Sequence, residues 1–283
     1  MSEYRTQALD TSREIEEVQL QAWRAMPSWE KIEQIRDLIR FCFGLSLLNI
    51  RKEFPNATGR ELWLKLAERN WDDRKLIEEA ARRRPEEGTD VAADFVEAIL
   101  RIAEILEDLE IPYFVGGSVA SSVFGESRST RDVDLVADIR KEHVEPLLRA
   151  LKEDFYVPEG ILREGVRDRT SFSLMYLPKA FKVDVFLVKG TPFDLKQMLR
   201  RRFEPIDKME SRTVPLSSPE DIVLTKLDWY RKGHEVSTFQ WRDILGVLKV
   251  QKEKVDLNYL RRTAAQLDLK ELLDRALRES GLS

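Results

Sequence analysis

The 283-residue sequence has one cysteine, Cys42, and two histidines, His143 and His234. A single thiol closes no internal disulfide, and so few sulfur and imidazole donors argue against zinc, so a bound metal is expected on oxygen ligands. No stretch approaches the roughly 20 apolar residues of a membrane-spanning helix. The polar start lacks the apolar segment of a secretory signal. The expectation is a cytoplasmic protein with no membrane partner. Internal repeats and low-complexity tracts are missing too. A net charge of only −4 argues against tight nonspecific nucleic-acid binding through overall charge, while a local basic patch could still touch RNA. What is present is a globular composition, 42% hydrophobic and 35% charged, with chain enough for two domains or for one with a helical extension.

From Ser12 to about Arg83 the pattern is helical, with Ile35, Ile39, Phe43, Leu47 and Ile50 recurring every three or four residues. Thr58 and Glu61 have the spacing of a capping box. Trp23, Trp29, Trp63 and Trp71 read as core and capping contacts of these helices, and Cys42 as buried. The charged run Arg82 to Asp90, broken by Pro85 and Gly88, marks a boundary. After a helix from Val91 to Leu109 the character changes. Strands are expected at Tyr113–Val115, Asp132–Val136, Ser171–Tyr176 and Lys182–Val188, with a helix over Lys141–Lys152. Helices return after Pro215, the first opened by Ser218 and Pro219, the second over Gln240–Val250, and one more from Leu257 to Arg278. The division is therefore a helical domain at 1–89, an α/β core at 90–215 and a helical segment at 216–283.

Chemistry concentrates between Ile111 and Asp138. A short apolar strand runs into Gly116, Gly117 and Ser118 and then a helix, an arrangement that lets backbone N–H groups approach an anion at a helix start. Asp132 and Asp134 stand two apart in a β-rich stretch, so both carboxylates share one face while Val133 and Leu135 point to the core. Some fifty residues later Asp184 interrupts an apolar strand and needs a partner, because an unpaired buried charge is costly. If that strand lies beside the first, three carboxylates converge on one or two divalent ions, Mg²⁺ or Mn²⁺. In the loop between, Arg128 and Arg131 are candidate phosphate contacts. Arg200, Arg201 and Arg202 read as a solvated helix face. Lys226 and Asp243 fall on core-facing stripes of the last helices, where a structural ion pair is one explanation.

Taken in order, strand, Gly-Gly-Ser, helix, Asp-x-Asp and a later Asp strand, residues Leu106 to Val188 resemble the DNA polymerase β-like nucleotidyltransferase superfamily. That resemblance implies a nucleotidyltransferase fold, α/β (α+β) with a mixed sheet. It implies triphosphate binding at Gly116, Gly117 and Ser118, metal binding at Asp132 and Asp134, and activation of an acceptor hydroxyl by Asp184. The later Ser218-Pro219-Glu220-Asp221, Lys226 and Arg242-Asp243-Ile244 look like motifs of AbiEii-type toxin nucleotidyltransferases, in which such a lysine and aspartate border the nucleotide. The N-terminal helices look like small partner proteins encoded beside such enzymes, here fused and expected to dock on the catalytic domain. The implied activity is metal-dependent transfer of a nucleotidyl group from an NTP to RNA, such as a tRNA end, or to protein, within a toxin–antitoxin type system. An antitoxin-type protein adenylyltransferase and a silent NTP-binding module are the alternatives.

Overall fold

The computed structural model describes residues 4–8, 10–83, 94–209 and 211–282. Its elements in chain order are α1 Arg13–Ala25, α2 Ser28–Glu53, α3 Gly59–Asn70, α4 Arg74–Arg83, α5 Phe95–Asp108, β1 Tyr113–Val115, α6 Gly117–Phe124, β2 Asp132–Ala137, α7 Val144–Leu151, β3 Phe155–Tyr156, α8 Glu159–Asp168, β4 Ser171–Tyr176, β5 Phe181–Leu187, α9 Pro192–Arg200, β6 Arg202–Pro205, β7 Thr213–Leu216, α10 Pro219–Lys232, α11 Thr238–Val250, α12 Leu257–Gln266 and α13 Lys270–Ser280. The class is α/β (α+β) with a mixed sheet and helices on both sides of it in sequence. No described helix is long and apolar enough to cross a membrane.

The chain forms two units, one of Met1–Glu33, Gly116–Arg128 and Leu195–Ser283, the other of Gln34–Val115 and Ser129–Asp194. The expected helical segment 1–89 thus contributes to both. The boundary run from residue 84 to 90 and the expected helix start at Val91 lie outside the described residues; α5 is described from Phe95, capped by the Asp94 side chain on the Val96 and Glu97 amides.

In the second unit the strands run in the order β3-β4-β5-β2-β1. β1 is antiparallel to β2, β2 is parallel to β5, and β4 is antiparallel to β5. One sheet face is apolar because alternate residues, Val133, Leu135 and Ala137 on β2 and Val183, Val185 and Leu187 on β5, all point inward and are buried. Ile102, Leu106, Leu147 and Phe172 meet them from α5, α7 and β4. At about 1.5–3 kcal/mol per large side chain removed from water, this layer fixes strand register, since a slip of one residue would turn the aspartates into it. Around the β4–β5 turn, the Trp63 indole N–H donates to the Leu177 carbonyl at 3.1 Å and the Phe43 ring lies 6.1 Å from Phe181.

In the first unit β6 and β7 form an antiparallel hairpin, and α10 to α13 with α1 and α6 make a helical body. The side chain of Ser218 caps α10 at the Asp221 amide with Pro219 in the first turn, as the sequence implies. Gly125 follows α6 where a Cβ would lie 2.9 Å from the Val247 nitrogen of α11, so only glycine permits that backbone approach.

Three expectations are corrected. The closing helix over Leu257–Arg278 is two helices, because Asp268 takes a left-handed φ of 57° and stops α12, with the Leu269 amide returning to the Ala264 carbonyl. Cys42 is exposed, since it stands at the edge of the buried stripe of Ile35, Ile39, Phe43 and Ile50, about 100° around α2 from Phe43. The Arg200–Arg202 run is no solvated helix face. Arg200 ends α9, Arg202 begins β6, and Arg200 donates to the buried Glu220 at 2.9 Å.

Candidate functional site

The carboxylate face lies wholly in the second unit. Along β2, Asp132 and Asp134 are half-buried while their neighbours are buried, and β5 repeats the alternation with Lys182 and Asp184 half-buried. Parallel register sets Asp132 opposite Lys182 and Asp134 opposite Asp184, on strands about 4.8 Å apart. The three aspartates of the sequence pattern are therefore brought onto one face. Thr130 Oγ1 donates to Asp132 Oδ1 at 3.1 Å. On the other side of β5, antiparallel register places Ser173 opposite Asp184. Asp184 is held by two donors, the Ser173 hydroxyl on Oδ1 and the Lys182 ammonium on Oδ2 at 2.7 Å.

Among the described residues no three His, Cys, Asp or Glu side chains are gathered closely enough to hold a metal ion. In this structure Asp184 engages Lys182 and Ser173. Asp132 and Asp134 still fit a hard cation such as Mg²⁺, which takes one or two carboxylates and fills its remaining positions with water and substrate phosphate oxygens.

The glycine turn lies in the first unit. Gly117 takes φ = 54°, in the left-handed region, which a Cβ would strain. It opens α6, and Gly116 before it brings no side chain to cap the helix start. Ser118 is buried. Arg131, whose neighbours belong to the second unit, is exposed.

Lys226 of α10 and Asp243 of α11, both buried, face one another. Lys226 Nζ donates to Asp243 Oδ2 at 2.8 Å and to Gln240 Oε1 at 3.1 Å. Arg128 grips the same carboxylate with Nε on Oδ1 and Nη2 on Oδ2, each at 2.9 Å, and Ser121 Oγ of α6 lies 3.4 Å from Oδ2. Burial alone would raise the Asp243 carboxyl, but the Arg128 hydrogen bonds and the Lys226 charge outweigh it and hold it below its ordinary value. The two acids of the Ser-Pro-Glu-Asp motif are also internal: Glu220 accepts from Arg200, and Asp221 accepts from Tyr259 at 2.6 Å and Ser218 at 2.7 Å.

Sequence reasoning missed Lys182 and Ser173. Lys182 was legible in principle, because a residue two before Asp184 on a strand shares its face. Ser173 was not, because it reaches Asp184 only through strand pairing. Arg128 was singled out as a phosphate contact, whereas its partner here is an aspartate 115 positions away.

No protein-family model and no curated protein matches the chain. Among solved structures it is similar to an antigenic nucleotidyltransferase-like protein from Paracoccidioides brasiliensis, at 22% identity and a TM-score of 0.42, over 65% of this chain and 91% of that one. It is also similar to the lincomycin-bound lincosamide antibiotic adenylyltransferase LnuA, at 13% identity and a TM-score of 0.38, over 54% and 96%. A third, the antibiotic-resistance factor ANT(2'')-Ia, has 16% identity and a TM-score of 0.37, over 65% and 90%. At these scores, function rests on the chain's own residues.

Proposed function

We propose that this protein is a nucleotidyltransferase that moves a nucleoside monophosphate from an NTP to a macromolecular acceptor, RNA or protein. One observation carries the reading: Asp132 and Asp134 share a face of β2, and Asp184 stands in register beside Asp134 on the parallel strand β5. Such a face suits phosphoryl chemistry, which needs charge and alignment more than covalent help. Asp132 and Asp134 would hold a divalent cation, and when bound it neutralises the triphosphate. Asp184, on the neighbouring strand, orients the acceptor hydroxyl and takes up its proton. Gly116, Gly117 and Ser118 are assigned the triphosphate, and this role rests on their place in the sequence before the Asp-x-Asp strand and on the left-handed Gly117 at the start of α6. Arg131 is assigned a phosphate contact on its position and exposure. Membership of the AbiEii-type group, with a toxin–antitoxin setting, rests on the sequence motifs around Lys226 and Asp243. The helices of 1–89 are assigned the role of a fused partner. Deleting them would uncover Phe181 and the β4–β5 turn, which Phe43 and Trp63 cover.

The test is to incubate the purified protein, and its Asp132→Ala/Asp134→Ala variant, with Mg²⁺ and each α-³²P-labelled NTP in the presence of total RNA or cell lysate. Label entering RNA or a protein band with the wild type alone is the expected result, and the labelled species names the acceptor class. Label absent from every acceptor with every NTP refutes transfer. Both proteins should melt alike, because half-buried aspartates on a solvent-facing strand face add repulsion rather than stability.

A further inference from the structure

The carboxylate face carries a basic group that a plain three-acid cation site has no use for. Lys182 sits on the same side of β5 as Asp184, in register with Asp132, and its ammonium donates to Asp184 Oδ2 at 2.7 Å. Its side chain is 29% exposed, and the Trp71 ring, itself buried, lies 6.0 Å from Nζ. The lysine is therefore walled on one flank and directed at the carboxylate rather than stretched into water. The second oxygen of Asp184 receives the Ser173 hydroxyl, so each carboxylate oxygen already has a donor.

Charge closes the argument. Three aspartates and one lysine leave the face with a net charge of −2, which one divalent cation balances. A second dication at Asp184 would meet an ammonium at contact distance and would have to displace it, with like-charge repulsion opposing its entry. Resting on the nucleotidyl-transfer reading, we infer that Lys182 is a built-in counter-charge that occupies Asp184, so that this face takes one divalent cation, at Asp132 and Asp134, where three free carboxylates would take two. Lys182 is a positioning residue: with Ser173 it holds the Asp184 carboxylate aimed, on the side of the face where an acceptor hydroxyl would be met.

The experiment counts cations without turnover. The full-length protein is titrated with Mn²⁺ in the presence of each α,β-methylene NTP, and free Mn²⁺ is read by electron paramagnetic resonance. Wild type is expected to take up one Mn²⁺ per bound nucleotide, and Lys182→Arg, which keeps the charge, the same. Lys182→Met, which keeps the length and removes the charge, is expected to take up two, the second binding at least tenfold more tightly than any second ion in wild type. Lys182→Gln makes the same comparison if the methionine variant does not stay folded. Two ions per nucleotide in wild type, or one in both neutral variants, overturns the inference while leaving the nucleotide site standing. Failure of wild type to bind any Mn²⁺–nucleotide that the Asp132→Ala/Asp134→Ala variant lacks overturns the underlying site as well.

Discussion

Replacing Asp243 by alanine is expected to be among the most damaging single changes in the first unit. The carboxylate is the shared partner of Lys226 and Arg128, and the side chains of Lys226 and Asp243 are only 7% and 6% exposed. Without it, among the described residues Lys226 retains only Gln240 Oε1 at 3.1 Å, and an ammonium in that setting is an uncompensated buried charge. Breaking one side of such a pair costs about 3–5 kcal/mol, a large share of the roughly 5–15 kcal/mol that holds a domain folded. With a urea m-value of about 3 kcal/mol/M, the midpoint should fall by roughly 1–1.7 M. Lys226→Met should cost less, about 1–3 kcal/mol, because Arg128 still satisfies the carboxylate. The Lys226→Met/Asp243→Leu double variant should recover part of the loss, with a coupling of about 2 kcal/mol or more. The exposed Arg74–Glu78 pair is the control, with side chains 81% and 50% exposed, and its coupling should be about 0.3–0.5 kcal/mol. The pH dependence has a definite sign. Because the folded Asp243 carboxyl is held below its ordinary value of 3.8, its contribution is complete above that pH and is lost as pH falls through the lower folded value, so wild type and Asp243→Ala should converge in acid. A cost below about 1 kcal/mol with no coupling to Lys226 would refute the buried-network reasoning and return both residues to a solvated, ligand-facing role.

Lys31, 4% exposed, has its ammonium pushed down to about 8, first by burial and then by Lys254, against the pull of Glu204. A depressed folded value means that the unfolded chain binds more protons between about pH 8 and 10.5, so stability should rise with pH across that window and Lys31→Met should abolish the rise, as read by thermal melts from pH 7 to 10.5. At pH 7, where the buried charge costs most, Lys31→Met should stabilise by about 1–3 kcal/mol; a destabilised variant would contradict this. Gly117→Ala places a Cβ at φ = 54° and should cost about 1–2 kcal/mol. It should also weaken NTP binding at least tenfold in a fluorescence titration, and unchanged affinity would remove the glycine turn from the site.

Local order was written in the sequence because it depends on neighbours a few positions apart. The Thr58–Glu61 capping box, the Ser218 cap, the limits of β1 and β4, and the shared face of Asp132 and Asp134 all follow from periodicity and side-chain chemistry within a turn or a strand. The break at Asp268 escaped because apolar spacing runs on through Leu267 and Leu269, and only the backbone records the left-handed residue between two helices. Partnership was another matter. That β5 lies parallel to β2 with Asp184 level with Asp134, that Lys182 and Ser173 take up the Asp184 oxygens, and that Arg128 joins Lys226 on Asp243 are outcomes of which surfaces pack together. Short-range patterns say which face a charge is on; only long-range pairing, driven by burial of the opposite apolar faces, decides which counter-charge it meets there.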